Sequence, residues 1–256
     1  MNDGEHKPCR VLVTGSAGAV GQVVCAALAQ RGHHVRGFDR CPTRGVEDAV
    51  VGSVGDGQAL RSAMAGMDTI VHLASGTGAE SDAMEKLLEP NVIGLFNVMD
   101  AARDGAVRRV VLASSLQVVL GMDESEKPRG TDDAAPTTRD ALTKRWGEQM
   151  GEMYARLHGL SVICGRITWM PRDAEEIDRL TATSQDMPLY VSPRDTGRFF
   201  TCAVEAQGVD FAILYCAGPP HQGRSRFDMD PGRRLIGYEP ADVFPEGLGF
   251  AWSASD

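Results

Sequence analysis

Short β-branched runs alternate along this chain with longer stretches in which apolar residues return every three or four positions. The runs Arg10–Thr14, His34–Phe38, Ala49–Val51, Thr69–Leu73, Arg109–Ala113 and Ser161–Arg166 predict strands. The stretches 19–31, 57–65, 82–103 and 137–158 predict helices, and Phe211–Cys216 predicts one more strand. Strands that alternate with helices bury both faces of a parallel sheet, so the pattern predicts an α/β fold of the doubly wound Rossmann type. Residues 1–8 read as a flexible tail, 9–168 as a dinucleotide-binding core and 169–256 as a small C-terminal substrate lobe, from which strand 209–216 returns to the core. The stretch 121–136 is polar, charged and proline-bearing, and reads as a surface loop. Asp195 is expected to cap a helix running to about Glu205, and His33 and His34 to lie at the surface.

Composition narrows the class. With 256 residues, 43% of them hydrophobic, the chain can bury a full core. Its net charge of −9 argues against nucleic acid and against anionic membrane surfaces, both of which select basic faces. No apolar run approaches the roughly 20 residues of a membrane span, and the polar start lacks the apolar core of a secretion signal. The six cysteines form no closely spaced pair, so neither a metal nor a disulfide is expected, and a reducing cytoplasm fits.

The chemistry begins after the first strand, with Gly15-Ser16-Ala17-Gly18-Ala19-Val20-Gly21. Glycines at this spacing permit a tight turn, close approach of the backbone to a pyrophosphate and close helix packing, with free N–H groups at the helix start facing the phosphate. Asp39 ends the next strand and could accept hydrogen bonds from a ribose, which favours NAD. Arg40 follows, with Arg36 and Arg44 near it, and could clamp a 2′-phosphate. The expectation is a nicotinamide dinucleotide, with NADP(H) slightly favoured over NAD(H).

Further motifs follow in order: Val71-His72-Leu73-Ala74-Ser75, Asn91-Val92-x-Gly94-x-x-Asn97, Val110-Val111-Leu112-Ala113-Ser114-Ser115 and Leu235-Ile236-Gly237-Tyr238-Glu239-Pro240. With the glycine motif, these make the chain resemble the extended short-chain dehydrogenase/reductase family, also called the NAD-dependent epimerase/dehydratase family. The likeness runs from about Arg10 to Tyr238, and the short length and last third look most like its uronate dehydrogenase branch. The resemblance implies a cofactor site that also takes in Ser53, Val54, Leu73, Ala74, Ser75, Asn91, Ala113, Lys144 and Ile167. It implies Ser115, with Ser114 as the other register, as the serine that polarises a carbonyl, and Lys144 as the lysine on the nicotinamide ribose. Helices 82–103 and 137–158 form a dimer face in many relatives, so a homodimer is a further expectation.

Four residues before Lys144, where the family carries its proton-donating tyrosine, stands Asp140. A carboxylic acid has a reference pKa near 3.9 against about 10 for a phenol, so an aspartate there is expected to accept rather than donate. Tyr154 lies ten residues past Lys144, about 15 Å along a helix. Hydride transfer to a carbonyl leaves an alkoxide that needs a proton. The sequence therefore leads to a reductase whose proton comes from the substrate or from solvent, acting on an aromatic polycyclic ketone. A dinucleotide-binding sensor and a uronate or sugar dehydrogenase are the two rival readings. Ser75, Gln117, Thr168, Trp169 and Met170 are the expected substrate contacts, with Met122 and Met187 as further apolar lining. Arg179 is a candidate for holding a substrate carboxylate, and His221 sits in a loop that could reach the cleft.

Overall fold

The structure, a computed structural model, describes residues 7–76, 83–105, 107–122, 134–182, 189–220 and 226–248. The expectations for Asp123–Glu126, Asp132, Asp133, Met187 and His221 fall outside the described residues. Seven strands, β1 (Arg10–Thr14), β2 (His34–Asp39), β3 (Asp48–Val51), β4 (Thr69–His72), β5 (Arg109–Ser115), β6 (Ser161–Ile167) and β7 (Phe211–Cys216), form one sheet in the order β3-β2-β1-β4-β5-β6-β7. Every pairing is parallel. The chain runs outward from β1 to β3 on one side and from β4 to β7 on the other. The strand order thus reverses between β1 and β4, and the C-terminal ends of these two strands open a crevice there, where α/β folds of this kind take their ligands.

Side chains alternate across each strand, so consecutive residues enter opposite cores. Val11, Val13, Val71 and Val111 pack on one face with Val24 and Leu28 of α1 (Ala19–Gln30) and Phe199 and Phe200 of α7 (Pro193–Glu205). Leu12, Ile70, Val110 and Leu112 face the other way. There they meet Leu60 of α2 (Gly57–Met64), Leu95 and Val98 of α4 (Gly94–Asp104) and Met150 of α5 (Arg139–His158). A third small cluster joins Val118, Tyr215 and Phe227, with Met122 and Trp169 packed against it. Between β6 and β7 lies α6 (Ala174–Ala182), and α8 (Asp230–Ile236) follows β7.

Three sequence expectations are corrected. Where one helix was expected over 82–103, the chain forms a short α3 (Met84–Leu87), a widened π-helical turn (Leu88–Ile93) and then α4. Pro90 stands inside that turn and has no N–H for a regular helical bond. The cap of α7 is Ser192, whose Oγ accepts from Asp195 N at 2.8 Å. Asp195 instead lies fully buried in the first turn, accepting from Ala241 N and Asp242 N. His33 is buried, not superficial: its Nδ1 accepts from Cys9 N at 3.1 Å.

Candidate active site

The glycine turn leaves β1 with Gly15 at φ +71°, a left-handed conformation that side-chain-bearing residues adopt at a cost. A Cβ there would come within 2.6 Å of the Ala74 backbone nitrogen. One at Gly21 would overlap the Gly15 carbonyl oxygen. The missing side chains let β1, α1 and the end of β4 close together around a cavity of about 210 Å³. Its walls include Gly15, Gly18, Ala19, Val20 and Gly21 from the turn and Asp39 and Arg40 from the end of β2. Ser53 and Val54 come from the loop after β3, and Leu73, Ala74 and Ser75 follow β4. A cleft that only glycine can open, placed at a helix N-terminus, fits a pyrophosphate and so fits a dinucleotide.

Ser16 and Ala17, expected at the cofactor, do not line this cavity. The Ser16 hydroxyl is fully buried and lies 2.5 Å from Thr43 Oγ1, while Ala17 N donates to Asp39 Oδ2 at 3.1 Å. Cys41 N donates to the other Asp39 oxygen at 3.1 Å. Asp39 thus ties the glycine turn to the loop after β2. Phe38, Gly52, Glu89, Pro90 and Arg172 also line the cavity, although the sequence reading named none of them as cofactor contacts.

A second group of polar side chains gathers where β4, the π-helical turn and α5 meet. Lys144 Nζ donates to Ser75 Oγ at 2.9 Å, and Ser75 donates to Asn91 Oδ1 at 3.0 Å. The Asn91 oxygen also accepts from Gly76 N at 2.8 Å. Its amide nitrogen donates to Asp140 Oδ1 at 3.0 Å and to Thr143 Oγ1 at 2.8 Å. The buried Asn91 has both its donors and its acceptor committed, so it pins α5 against the end of β4. Burial holds the Lys144 ammonium below lysine's ordinary range, against the opposing pull of the Asp140 carboxylate.

His72 lies under this group, with Nδ1 2.7 Å from Thr14 Oγ1. Burial first, and the nearby Lys144 charge second, push its pKa down to about 3, so it stays neutral. The two serine registers separate cleanly. Ser114 is buried and donates to Glu148 Oε1 at 2.7 Å, within an ion pair in which Arg166 grips both oxygens of Glu148 at 2.7 and 2.9 Å. Ser115 is half-buried at the end of β5 and accepts from Gln117 N at 3.2 Å. Only Ser115 lies outside the buried ion pair. The Gln117 side chain accepts from Thr138, the cap of α5.

The remaining expected residues fall in different places. Ala113 and Ile167 are half-buried against the core around α1 and α7. Thr168 is buried and donates to Cys216 O, and Met170 belongs to the core. Trp169 is half-buried beside Met122, in the cluster that holds Phe227. Arg179 lies exposed on α6, 3.7 Å from Glu175 on the same helix. The four tyrosine hydroxyls are all engaged: Tyr154 with Asp100, Tyr190 with Glu246 O, Tyr215 with Arg166 and Tyr238 with Ala217 O. Among the described residues no group of side chains could hold a metal ion, and no helix is long and apolar enough to cross a membrane.

The sequence-family description "NAD dependent epimerase/dehydratase family" matches residues 11–170. L-arabinose 1-dehydrogenase (NAD(P)(+)) of Haloferax volcanii is 30% identical across 91% of this chain and 96% of its own length. Uronate dehydrogenase of Pseudomonas putida is 28% identical across 62% of this chain and 60% of its own. Among solved structures, the glucuronic acid dehydrogenase of Chromohalobacter salexigens superimposes with a TM-score of 0.80 at 26% identity, over 93% of this chain and 86% of that one. With a family match over residues 11–170 and a relative 30% identical across 91% of its length, this chain belongs to the NAD-dependent epimerase/dehydratase family.

Proposed function

We propose that the protein is an NAD(P)H-dependent ketoreductase for a polycyclic aromatic ketone of the angucyclinone kind, with the proton supplied by the substrate or by solvent. Two relatives that each cover 91% of the chain are named as dehydrogenases, and the chain is an oxidoreductase of that family; the proposal concerns substrate and proton. The observation that carries it is the position four residues before Lys144. There Asp140 presents a carboxylate that already accepts from Asn91, and every tyrosine hydroxyl is engaged elsewhere.

Bound NAD(P)H would supply the hydride. The glycine turn would hold the pyrophosphate, Lys144 would donate to the nicotinamide ribose, and Ser115 Oγ–H would donate to the carbonyl oxygen of the substrate. As hydride reaches the carbon, the growing alkoxide needs a proton. A phenol on the substrate, hydrogen-bonded to that oxygen, can give it and leave a delocalised phenolate. The half-buried Trp169 and Met122 offer an apolar and aromatic surface suited to such a ring system.

NADP(H) is our preferred form of the cofactor. Both Asp39 oxygens accept from backbone N–H groups, which lessens repulsion toward a 2′-phosphate, and Arg40 lines the cavity beside it. Exposed Leu142, Met153 and Leu157 on α5, with Ile93 and Phe96 nearby, support a homodimer through these helices, which light scattering tests. The experiment for the main reading follows absorbance at 340 nm with NADPH and NADH, against hydroxylated aromatic ketones, their O-methylated forms, and uronic acids and aldoses with the oxidised cofactors. Faster turnover of the free phenol supports the proposal. Sugar oxidation without ketone reduction replaces it with the sugar dehydrogenase reading, supported by the names of the relatives.

A further inference from the structure

We infer that Glu89, carried on the π-helical turn, reads the adenine base of the dinucleotide by accepting a hydrogen bond from its exocyclic amine; this rests on the cavity taking a nicotinamide dinucleotide. The sheet order sets the direction of the ligand. A dinucleotide with its pyrophosphate at the start of α1 lies across the strand ends, with one nucleoside beyond β2 and β3 and the other beyond β4 and β5. Lys144 and Ser75 lie on the β4 side, so the nicotinamide belongs there and the adenosine lies over the loop after β3. Glu89 borders the cavity on that adenosine side, in contact with the loop: Ser53 Oγ donates to Glu89 Oε1 at 2.5 Å, and both residues line the cavity.

The contact is oriented. Gly55 N donates to Ser53 Oγ at 3.1 Å, which turns the serine proton toward Glu89. Gly55 itself provides the room, since a Cβ on it would meet Glu89 Cγ at 2.7 Å. Glu89 Oε2 has no partner among the described residues. A carboxylate in the wall of a cavity for a polyanion is unfavourable unless it faces a donor. The adenosine ribose already has Asp39 within reach, whereas the amine on the six-membered ring of adenine is a donor on a flat, otherwise apolar face. Val20, Val54 and Pro90 supply the apolar walls that such a base packs between.

The test compares binding of NADPH or NADH, whichever the wild type binds more tightly, with that of its hypoxanthine analogue, in which a carbonyl oxygen replaces the amine, by quenching of protein fluorescence. The wild type should bind the analogue about 10- to 100-fold more weakly, the range for loss of a hydrogen bond to a charged group. The variant E89A should bind the two within about threefold of each other, and S53A should fall between. Equal binding by the wild type, or undiminished discrimination in E89A, overturns the assignment. Failure of the wild type to bind either NADPH or NADH would instead remove the dinucleotide reading on which it rests. Because Glu89 is exposed and touches neither core, E89A should melt within a few degrees of the parent.

Discussion

The Asn91 side-chain amide donates to the Asp140 carboxylate at 3.0 Å, joining the turn before α4 to the residue of α5 that stands four positions before Lys144. The same Asn91 accepts from Ser75, which in turn accepts from Lys144. The bond fixes Asp140 as an acceptor and so shapes what its substitution does. Asp140→Asn keeps the volume and removes the charge. Reduction of a phenol-bearing ketone should stay within about threefold of wild type, and because the new amide oxygen still accepts from Asn91, the lost charge assistance should lower stability by no more than about 1 kcal/mol. A steady-state assay beside a urea titration checks both, and a hundredfold loss of kcat would place Asp140 in the proton path.

Replacing Asp140 by tyrosine tests the same question from the other side. A phenol within reach of Lys144 would restore an internal acid, a contribution of about 10²–10⁴-fold where it is needed. Ketones whose phenol is O-methylated should gain most and free phenols least. Equal gain on both would show that the substrate hydroxyl had no part in the chemistry.

Lys144→Met removes the ammonium from the Ser75–Asn91 chain. Cofactor affinity should fall by about tenfold with kcat changed by much less, because the lysine would donate to the ribose in every state along the reaction. Fluorescence titration with NADPH separates the two effects.

His72 sets an acid limit on stability. Its folded pKa, about 3, lies below the ordinary 6.5, so the unfolded state binds the proton more readily. The stabilisation from keeping this ring neutral is complete above about pH 6.5 and is lost as pH falls toward 3. Each unit in that window should cost up to about 1.4 kcal/mol. His72→Gln should flatten this part of the curve of stability against pH, measured by denaturant titration from pH 7 to pH 4. An unchanged slope would assign the acid loss to other groups.

The buried pair of Glu148 and Arg166 calls for a structural prediction. Side chains of both are at most 1% exposed, and Ser114 and Tyr215 complete their hydrogen bonds. Arg166→Met leaves the buried Glu148 carboxylate with only Arg145, at 3.2 Å, and Ser114 as partners and should destabilise by about 3 kcal/mol, the low end of the range for breaking a buried pair. A double variant with Glu148→Gln should recover part of it.

Much of the fold was legible in the chain because periodicity and glycine spacing are local. Alternating β-branched runs announce buried strands, and a glycine-rich turn between strand and helix has few other uses, so Gly15, Gly18, Gly21 and Asp39 could be placed near a cofactor from the sequence. Family likeness, not local pattern, supplied Ser115 and Lys144. Folding decided the long-range pairings. Helical periodicity over 82–103 gave no sign that Pro90 stands in a widened turn, nor that this turn brings Glu89 to Ser53 and Asn91 to Asp140, contacts that span 36 and 49 residues. The surroundings of Ser114 and Ser115 also depend on the sheet, because alternation along β5 sends Ser114 into the Glu148–Arg166 pair and leaves Ser115 at the strand end. A hydrogen bond depends on where two atoms meet in space, and only the packed sheet and helices bring these atoms within reach.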